Sequence, residues 1–284
     1  MKYLVKDLNL LTRFRIKGCM EKFFLCMAFL YIFANNDIIK IDDKFIKGKF
    51  YMKECDNINT NKKILLNKML DPSKFTTSYK IMWFYAIYKE MLSGHKKASI
   101  KKLSANMVSA AYYPIEHENL DFGKLDKLSD ITFYLKNNLK IDTLENEDYI
   151  CGYIMGSNDE KLNEMVIKLG KYVPYRLIRP FYDDFIKDKE YKICKKMPDA
   201  YINKYIQELN EEKDDIDVLY KINKNGDMIE FCESWIKYIM ENKNSILYLI
   251  KHKLISYLET KNPDDNKIEF KLGRKLATDK NLSF

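Results

Sequence analysis

The sequence has few glycines, few prolines and very few histidines. Nine glycines and six prolines occur among 284 residues, whereas lysine, isoleucine, asparagine and tyrosine are abundant. Glycine and proline mark the turns that β-rich folds need in large numbers, so their scarcity favours helices. The sequence therefore predicts a mainly α, multi-helix protein, either as one large domain or as two moderate ones.

Local catalytic motifs are also missing. The sequence contains no GxxxxGK[ST] or GxGxxG phosphate loop and no GxSxG nucleophile elbow. The three histidines, His95, His117 and His252, are separated in the sequence from one another and from any spaced cysteine pair. We therefore expect no catalytic residues, no metal site and no cofactor.

The cysteines lack metal-binding or redox spacing. They stand at positions 19, 26, 55, 151, 194 and 232, and no CxxC pair occurs. Scattered cysteines of this kind are typical of reduced core thiols in the cytosol, so the sequence predicts a cytoplasmic protein.

No apolar run is long enough to cross a bilayer as a helix. The run at residues 23–34 has 12 apolar residues, whereas a spanning helix needs about 20. It fits either the apolar part of a signal peptide that starts at Met20 or a buried helix. The buried helix is favoured because the segment from Met1 is long for the charged start of a signal peptide.

Positive charge is concentrated in the first part of the chain. The formal net charge is +8; residues 1–120 carry 21 basic and 11 acidic side chains, and residues 121–220 carry 16 and 21. An excess of cations favours a polyanion such as nucleic acid as partner. A solvated lysine surface without such a partner explains the same counts, because charge alone does not read a sequence.

The stretch from Phe75 to Ile115 predicts two consecutive helices. Thr76, Thr77 and Ser78 can cap a first helix that begins at Tyr79, has apolar residues at three- and four-residue steps, and ends at Gly94. Ser99 can cap the second helix, and Pro114 is expected to stop or kink it. This helix-turn-helix-like pair is the shape of many DNA-reading units and is also common in any α-domain.

Two groups of cations are the candidate phosphate contacts. The first follows Gly94 in the basic linker and the next helix, and the second lies in the segment VPYRLIRPF, which its two prolines predict to be bent. The candidates are Lys96, Lys97, Lys101, Lys102, Arg176 and Arg179. The alternative for the arginines is that they pin their loop to carboxylates such as Asp183 or Asp184.

The remaining chain gives weaker patterns. Residues 36–56 predict a small hairpin, and residues 56–64 a linker, so residues 1–60 are an N-terminal extension, 61–272 a helical domain and 273–284 a basic tail. Residues 142–166 predict helix broken near Gly152 and Gly156. Leu219–Ile222 is a short strand or a helix turn, Asn225-Gly226 is a turn, and helix is expected from Ile229.

Several runs resemble a known family. TTSYKIMWFYAIYKEM, SANMVSAAYYPIE and LDFGKLDKL, with further matches at residues 173–181, 235–239 and 257–263, are similar to the N-terminal region of bacterial HNH-endonuclease-domain proteins. The resemblance covers roughly residues 65–272. In that family the region precedes a C-terminal HNH cassette that cuts DNA with a metal ion, and a role in restriction or phage defence is implied.

The sequence departs from that family at its catalytic end. An HNH cassette needs a general-base histidine, further metal ligands and usually an asparagine in a ββα unit, and only 21 residues follow Pro263. We therefore expect a DNA-associated accessory region of a restriction or defence protein without its own nuclease centre, either truncated or naturally free of one. The alternative is a helical module that contacts a protein partner or senses a signal without nucleic acid; neither function requires a membrane.

Overall fold

The computed structural model describes residues 60–278 except 72, 74, 214 and 215, without the side chains of residues 60 and 274–278. The predicted hairpin at residues 36–56 and the apolar run at 23–34 lie outside the described residues. The described part is mainly helical with one small sheet, which confirms the predicted fold class. None of its helices combines the length and the hydropathy that crossing a membrane requires.

The described part of the chain contains twelve α-helices and three short strands. The helices are α1 (Thr60–Met69), α2 (Tyr79–Leu92), α3 (Ile100–Glu116), α4 (Leu128–Asn137), α5 (Glu147–Gly156), α6 (Glu160–Leu169), α7 (Val173–Ile178), α8 (Asp183–Lys192), α9 (Asp199–Glu212), α10 (Glu233–Glu241), α11 (Lys243–Lys261) and α12 (Ile268–Thr278). The strands are β1 (Lys97–Ser99), β2 (Tyr220–Ile222) and β3 (Met228–Phe231), and a 3₁₀ turn, Arg179–Phe181, follows α7. Helix α12 therefore continues across residue 272 into the predicted basic tail.

Helices α2 and α3 form the centre of the core. Trp83 and Phe84 on α2 are fully buried, as are Leu103 and Met107 on α3. α3 packs against α2, α4, α5 and α6, while α2 also packs against α7, α10 and α11. α2 is therefore buried around much of its circumference.

The ends of these two helices agree with the sequence in part. Gly94 follows α2 at φ 80°, a left-handed conformation that favours glycine, and Ser99 Oγ accepts from Lys102 N at the start of α3. The predicted capping by Ser78 is wrong, because its hydroxyl donates to Asp126 Oδ2 at 2.7 Å instead. Pro114 lies inside α3, which ends two residues later at Glu116, so the expected stop comes within one turn of the proline.

A three-stranded antiparallel sheet closes the connection between α2 and α3. Its strand order is β1-β3-β2, and both Ala98 and Ile222 pair with Ile229. The basic linker predicted at residues 95–97 therefore ends in an edge strand, so the helix-turn-helix-like pair is joined by β1. Ile229 belongs to β3, and the helix predicted from that residue begins only at Glu233.

The other short patterns are also resolved. Residues Tyr220–Ile222 form a strand, the first of the two alternatives for that segment, and Gly226 at φ 71° forms the predicted turn. The helix break near Gly156 is confirmed, whereas Gly152 lies inside α5. The segment VPYRLIRPF is a short helix followed by the 3₁₀ turn.

A buried polar chain positions α7 against α2 and the sheet. Trp83 Nε1 donates to Tyr220 Oη at 3.2 Å, and Tyr220 Oη donates to the carbonyl of Pro174 at 2.5 Å. Because buried polar groups cost free energy unless they are hydrogen-bonded, this chain fixes where α7 begins.

Candidate nucleic-acid interface

The first group of candidate cations lies on β1 and the first turn of α3. The hydrogen bond from Lys102 N to Ser99 Oγ and one from Ile100 N to the carbonyl of Asp227, at 2.8 Å, satisfy amides of the first helical turn. This places Lys101 at the surface end of α3. Lys101 forms no ion pair with any residue the structure describes.

The two lysines that precede α3 are paired with carboxylates. Lys96 Nζ lies 2.8 Å from Glu233 Oε1, and Lys97 Nζ lies 3.2 Å from Glu230 Oε2, its partner across β1 and β3. All four side chains are more than half exposed. Exposed pairs of this kind contribute about 0–1 kcal/mol, so a phosphate can replace the carboxylate at little cost.

Lys102 points toward a buried thiol. Burial raises the pKa of the Cys151 thiol, and the neighbouring Lys102 ammonium, within hydrogen-bonding reach, opposes that rise. A thiol with a raised pKa is protonated at neutral pH and is a poor nucleophile. The Lys102 ammonium is thus directed to the interior side of this surface, toward Cys151. The Cys151 thiol, which is protonated at neutral pH, does not supply a catalytic thiolate.

A close approach between α6 and α3 links the two groups of cations. A Cβ built on Gly170, just after α6, would lie 2.3 Å from Ile100 Cγ2 and 3.1 Å from Ser104 Oγ. The start of α3 therefore packs directly on Gly170. Gly170 leads directly into Lys171 and Tyr172 in the chain.

Tyr172, in that following segment, is flanked by two cations. Lys171 Nζ lies 5.1 Å and Arg176 Cζ lies 5.4 Å from the centroid of the Tyr172 ring, which is 39% exposed. We call Lys171, Tyr172 and Arg176 the Tyr172 cluster. An exposed aromatic ring with cations beside it is the combination with which single-strand-binding surfaces take up a base and its phosphates.

The two candidate arginines share one carboxylate. Arg176 Nη2 lies 2.6 Å from Asp199 Oδ2, and Arg179 Nη1 lies 3.6 Å from Asp199 Oδ1. The carboxylates named from the sequence bind lysines instead: Asp183 pairs with Lys68 and Asp184 with Lys187. The pinning role predicted as the alternative for the arginines is thus present, but the partner stands at the start of α9.

A buried carboxylate anchors the beginning of the basic segment. Asn106 Nδ2 donates to Glu90 Oε1 at 2.6 Å, and His95 Nδ1 lies 2.8 Å from Glu90 Oε2. Glu90 is only 7% exposed, whereas the His95 side chain is 57% exposed. The arrangement holds the turn between α2 and β1 in place. Across residues 60–278, as far as described, no three His, Cys, Asp or Glu side chains are grouped to hold a metal ion.

The structure thus packs Ile100, the neighbour of Lys101, against Gly170, which precedes the Tyr172 cluster in the chain. Lys96, Lys97, Arg176 and Arg179 are in ion pairs. The sequence analysis missed Lys171 and Tyr172. The signal that could have found them is the spacing of cations and tyrosines in KYVPYRLIR, which is typical of surfaces that bind single strands. No protein-family model, curated protein or solved structure matches this chain.

Proposed function

We propose that this protein binds DNA through the first turn of α3 and the Tyr172 cluster. We propose further that it serves as an accessory region of an HNH-endonuclease-type restriction or defence protein. In this role it holds DNA and does not cut it. The resemblance of residues 65–272 to that family motivates the second part of the proposal.

One observation supports DNA binding above the others. Gly170 packs on Ile100, the neighbour of Lys101, and the chain after Gly170 supplies Lys171 and Arg176 near the accessible Tyr172 ring. Each cation on such a surface displaces a condensed counterion when it meets a phosphate, which is a favourable source of affinity. The guanidinium of Arg176 also presents a planar fork that suits phosphate oxygens.

The paired lysines extend the same surface. Lys96 and Lys97 adjoin the start of α3 through β1, and their partners Glu230 and Glu233 are themselves exposed. A DNA phosphate that displaces either carboxylate exchanges one solvated ion pair for another. The expected gain from these two lysines is smaller than from Lys101.

The alternative of a protein-interaction module has less support. The most exposed large aliphatic and phenylalanine side chains are Leu125, Leu144, Phe133, Ile64 and Ile167, and they lie in two connections and on three different helices. Single apolar residues on a surface are normal, whereas a docking face needs a contiguous patch.

A titration with duplex DNA tests the proposal. The full chain is titrated into a labelled duplex at about 50 mM and about 200 mM salt, with fluorescence anisotropy as the readout. We expect salt-dependent binding, and in the variant Lys101→Ala/Lys171→Ala/Arg176→Ala a loss of about tenfold or more with a salt slope shallower by about two to three units.

The control removes three cations elsewhere. Lys127→Ala/Lys237→Ala/Lys253→Ala makes the same change in net charge on α10, α11 and the turn before α4. Its affinity should change less than about threefold. A wild-type chain that at low salt binds neither this duplex nor a single strand of the same length overturns the proposal. Equal losses in the two triple variants overturn the assignment to this surface.

A further inference from the structure

We infer that the DNA held on this surface is single-stranded, with Tyr172 and Tyr201 as the stacking platforms for unpaired bases. This inference rests on the proposed DNA-binding function and names its substrate class. It is carried by two exposed rings, Tyr172 just before α7 and Tyr201 in the first turn of α9, and by the ion pair between Arg176 and Asp199 that joins these two helices.

The line begins at the Tyr172 cluster and continues through an ion pair. Arg176 contacts the Tyr172 ring on one side and Asp199 on the other, with Nη2 2.6 Å from Asp199 Oδ2. Asp199 begins α9, and Tyr201 stands two residues further along the same helix. The ion pair therefore joins α7, whose Arg176 lies near the Tyr172 ring, to the first turn of α9, which carries Tyr201.

Tyr201 is exposed to an extent that the fold itself does not require. It is 69% exposed, whereas Ile202, Ile206 and Leu209 on the same helix are buried in the core. Tyr205 lies one turn further on, packs partly buried against the core, and has Lys189 Nζ of α8 5.0 Å from its ring centroid. Bases in a single strand offer open faces to such rings, while bases in a duplex are already stacked on each other.

Asp199 fixes the arginines without using all their donors. It takes one guanidinium nitrogen of Arg176 and approaches one of Arg179, and each guanidinium has five N–H donors. The two arginines and one aspartate leave one net positive charge between the tyrosines. A phosphate that links two stacked nucleotides meets a pre-oriented fork there, which lowers the entropy cost of binding.

A comparison of single-stranded and duplex DNA tests the inference. The full chain is titrated into a labelled oligo(dT) of about 20 nucleotides and into a duplex of the same length under identical salt. We expect the single strand to bind at least about tenfold more tightly. Tyr172→Leu and Tyr201→Leu should each weaken single-strand binding about tenfold, whereas Tyr172→Phe and Tyr201→Phe should retain it, because the ring and not the hydroxyl stacks.

The control is Tyr149→Leu, which removes another half-exposed tyrosine on α5 and should leave the affinity unchanged. Circular dichroism of each variant checks that the fold is kept. Duplex binding as tight as single-strand binding overturns this inference while the proposed function stands. Single-strand affinity that survives both Tyr→Leu substitutions also overturns it. Absence of binding to either DNA overturns the proposed function and this inference together.

Discussion

Individual buried charges in this protein are each held by several partners. Lys62 is 5% exposed; its ammonium contacts the Asp217 carboxylate, donates to Ser234 Oγ at 3.1 Å and lies 4.6 Å from the centroid of the Trp235 ring. A buried charge without such partners would cost several kcal/mol. These residues therefore join α1 to α10 and to the connection before β2 with defined geometry.

Asp126 is the buried carboxylate whose titration should be visible in stability. It is 3% exposed and accepts from Ser78 N, Ser78 Oγ and Leu128 N. Burial raises its pKa above the usual 3.8, although the hydrogen bonds from Ser78 oppose the rise. The folded state therefore favours the protonated carboxyl more than the unfolded state does, and this contribution is lost as pH rises through the folded-state pKa.

The variant Asp126→Asn should reveal this as a slope. We expect the unfolding free energy of the wild type minus that of the variant, measured by urea denaturation from about pH 3 to about pH 6, to fall as pH rises. The prediction concerns the slope of this difference against pH, because the hydrogen bond that asparagine loses changes the difference by a constant amount. Asp130→Asn, at an exposed residue on α4, should not reproduce the fall. If the difference for Asp126→Asn grew with pH instead, the raised pKa of Asp126 would be contradicted.

At the scale of elements, the packing of α6 on α3 depends on the absence of one side chain. A Cβ on Gly170 would lie 2.3 Å from Ile100 Cγ2, a distance at which one of the two must move. Gly170→Ala should therefore destabilise the fold by about 1–3 kcal/mol. In the double variant with Ile100→Ala the clashing atom is gone, so the loss should be smaller than the sum of the two single losses.

Gly152→Ala is the matched control for this cycle. Gly152 lies inside α5 with no neighbouring atom within 4 Å of its built Cβ, so alanine should be neutral or stabilise the helix by up to about 1 kcal/mol. Thermal or urea unfolding of the four proteins measures the effects. Strict additivity of the Gly170 and Ile100 changes would show that the contact does not limit this packing.

The elements that were predictable from the sequence have signals within one or two turns of the chain. Gly94 and Ser99 marked the ends of α2 and α3 because a left-handed residue and a cap act on adjacent amides. β1 was not predictable, since three residues show no alternation and its partner Ile229 is far along the chain. Likewise, Arg176 pairs with Asp199, 23 residues further along the chain, and not with Asp183, which is nearer in the sequence.

At the scale of the whole molecule, charge counted along the sequence misplaces the cationic surface. Residues 121–220 carry more acidic than basic side chains, yet they contribute Lys171 and Arg176 near the Tyr172 ring, in the segment after Gly170, which packs on Ile100 from the basic first part. The candidate site could thus be predicted from the sequence only in part. The fold determines which cations lie close to one another. Carboxylates such as Glu230 and Glu233 also neutralise Lys97 and Lys96, which the charge counts along the sequence include.

The chain has two tryptophans, and they report on cooperativity between its early and late segments. Trp83 on α2 and Trp235 on α10 are both fully buried. They are coupled because α2 packs directly against α10 and α11, and because β1 pairs with β3 across the same core.

We expect Trp83→Phe, which leaves Trp235 as reporter, to lose its fluorescence signal and its far-ultraviolet circular dichroism at one urea midpoint. Trp235→Phe should behave in the same way, with its own midpoint, since each lost ring changes stability but not the coupling. If the fluorescence of one variant changed well before its helical signal, the segments before and after β2 would unfold separately. The three-stranded sheet would then not bind them into one unit.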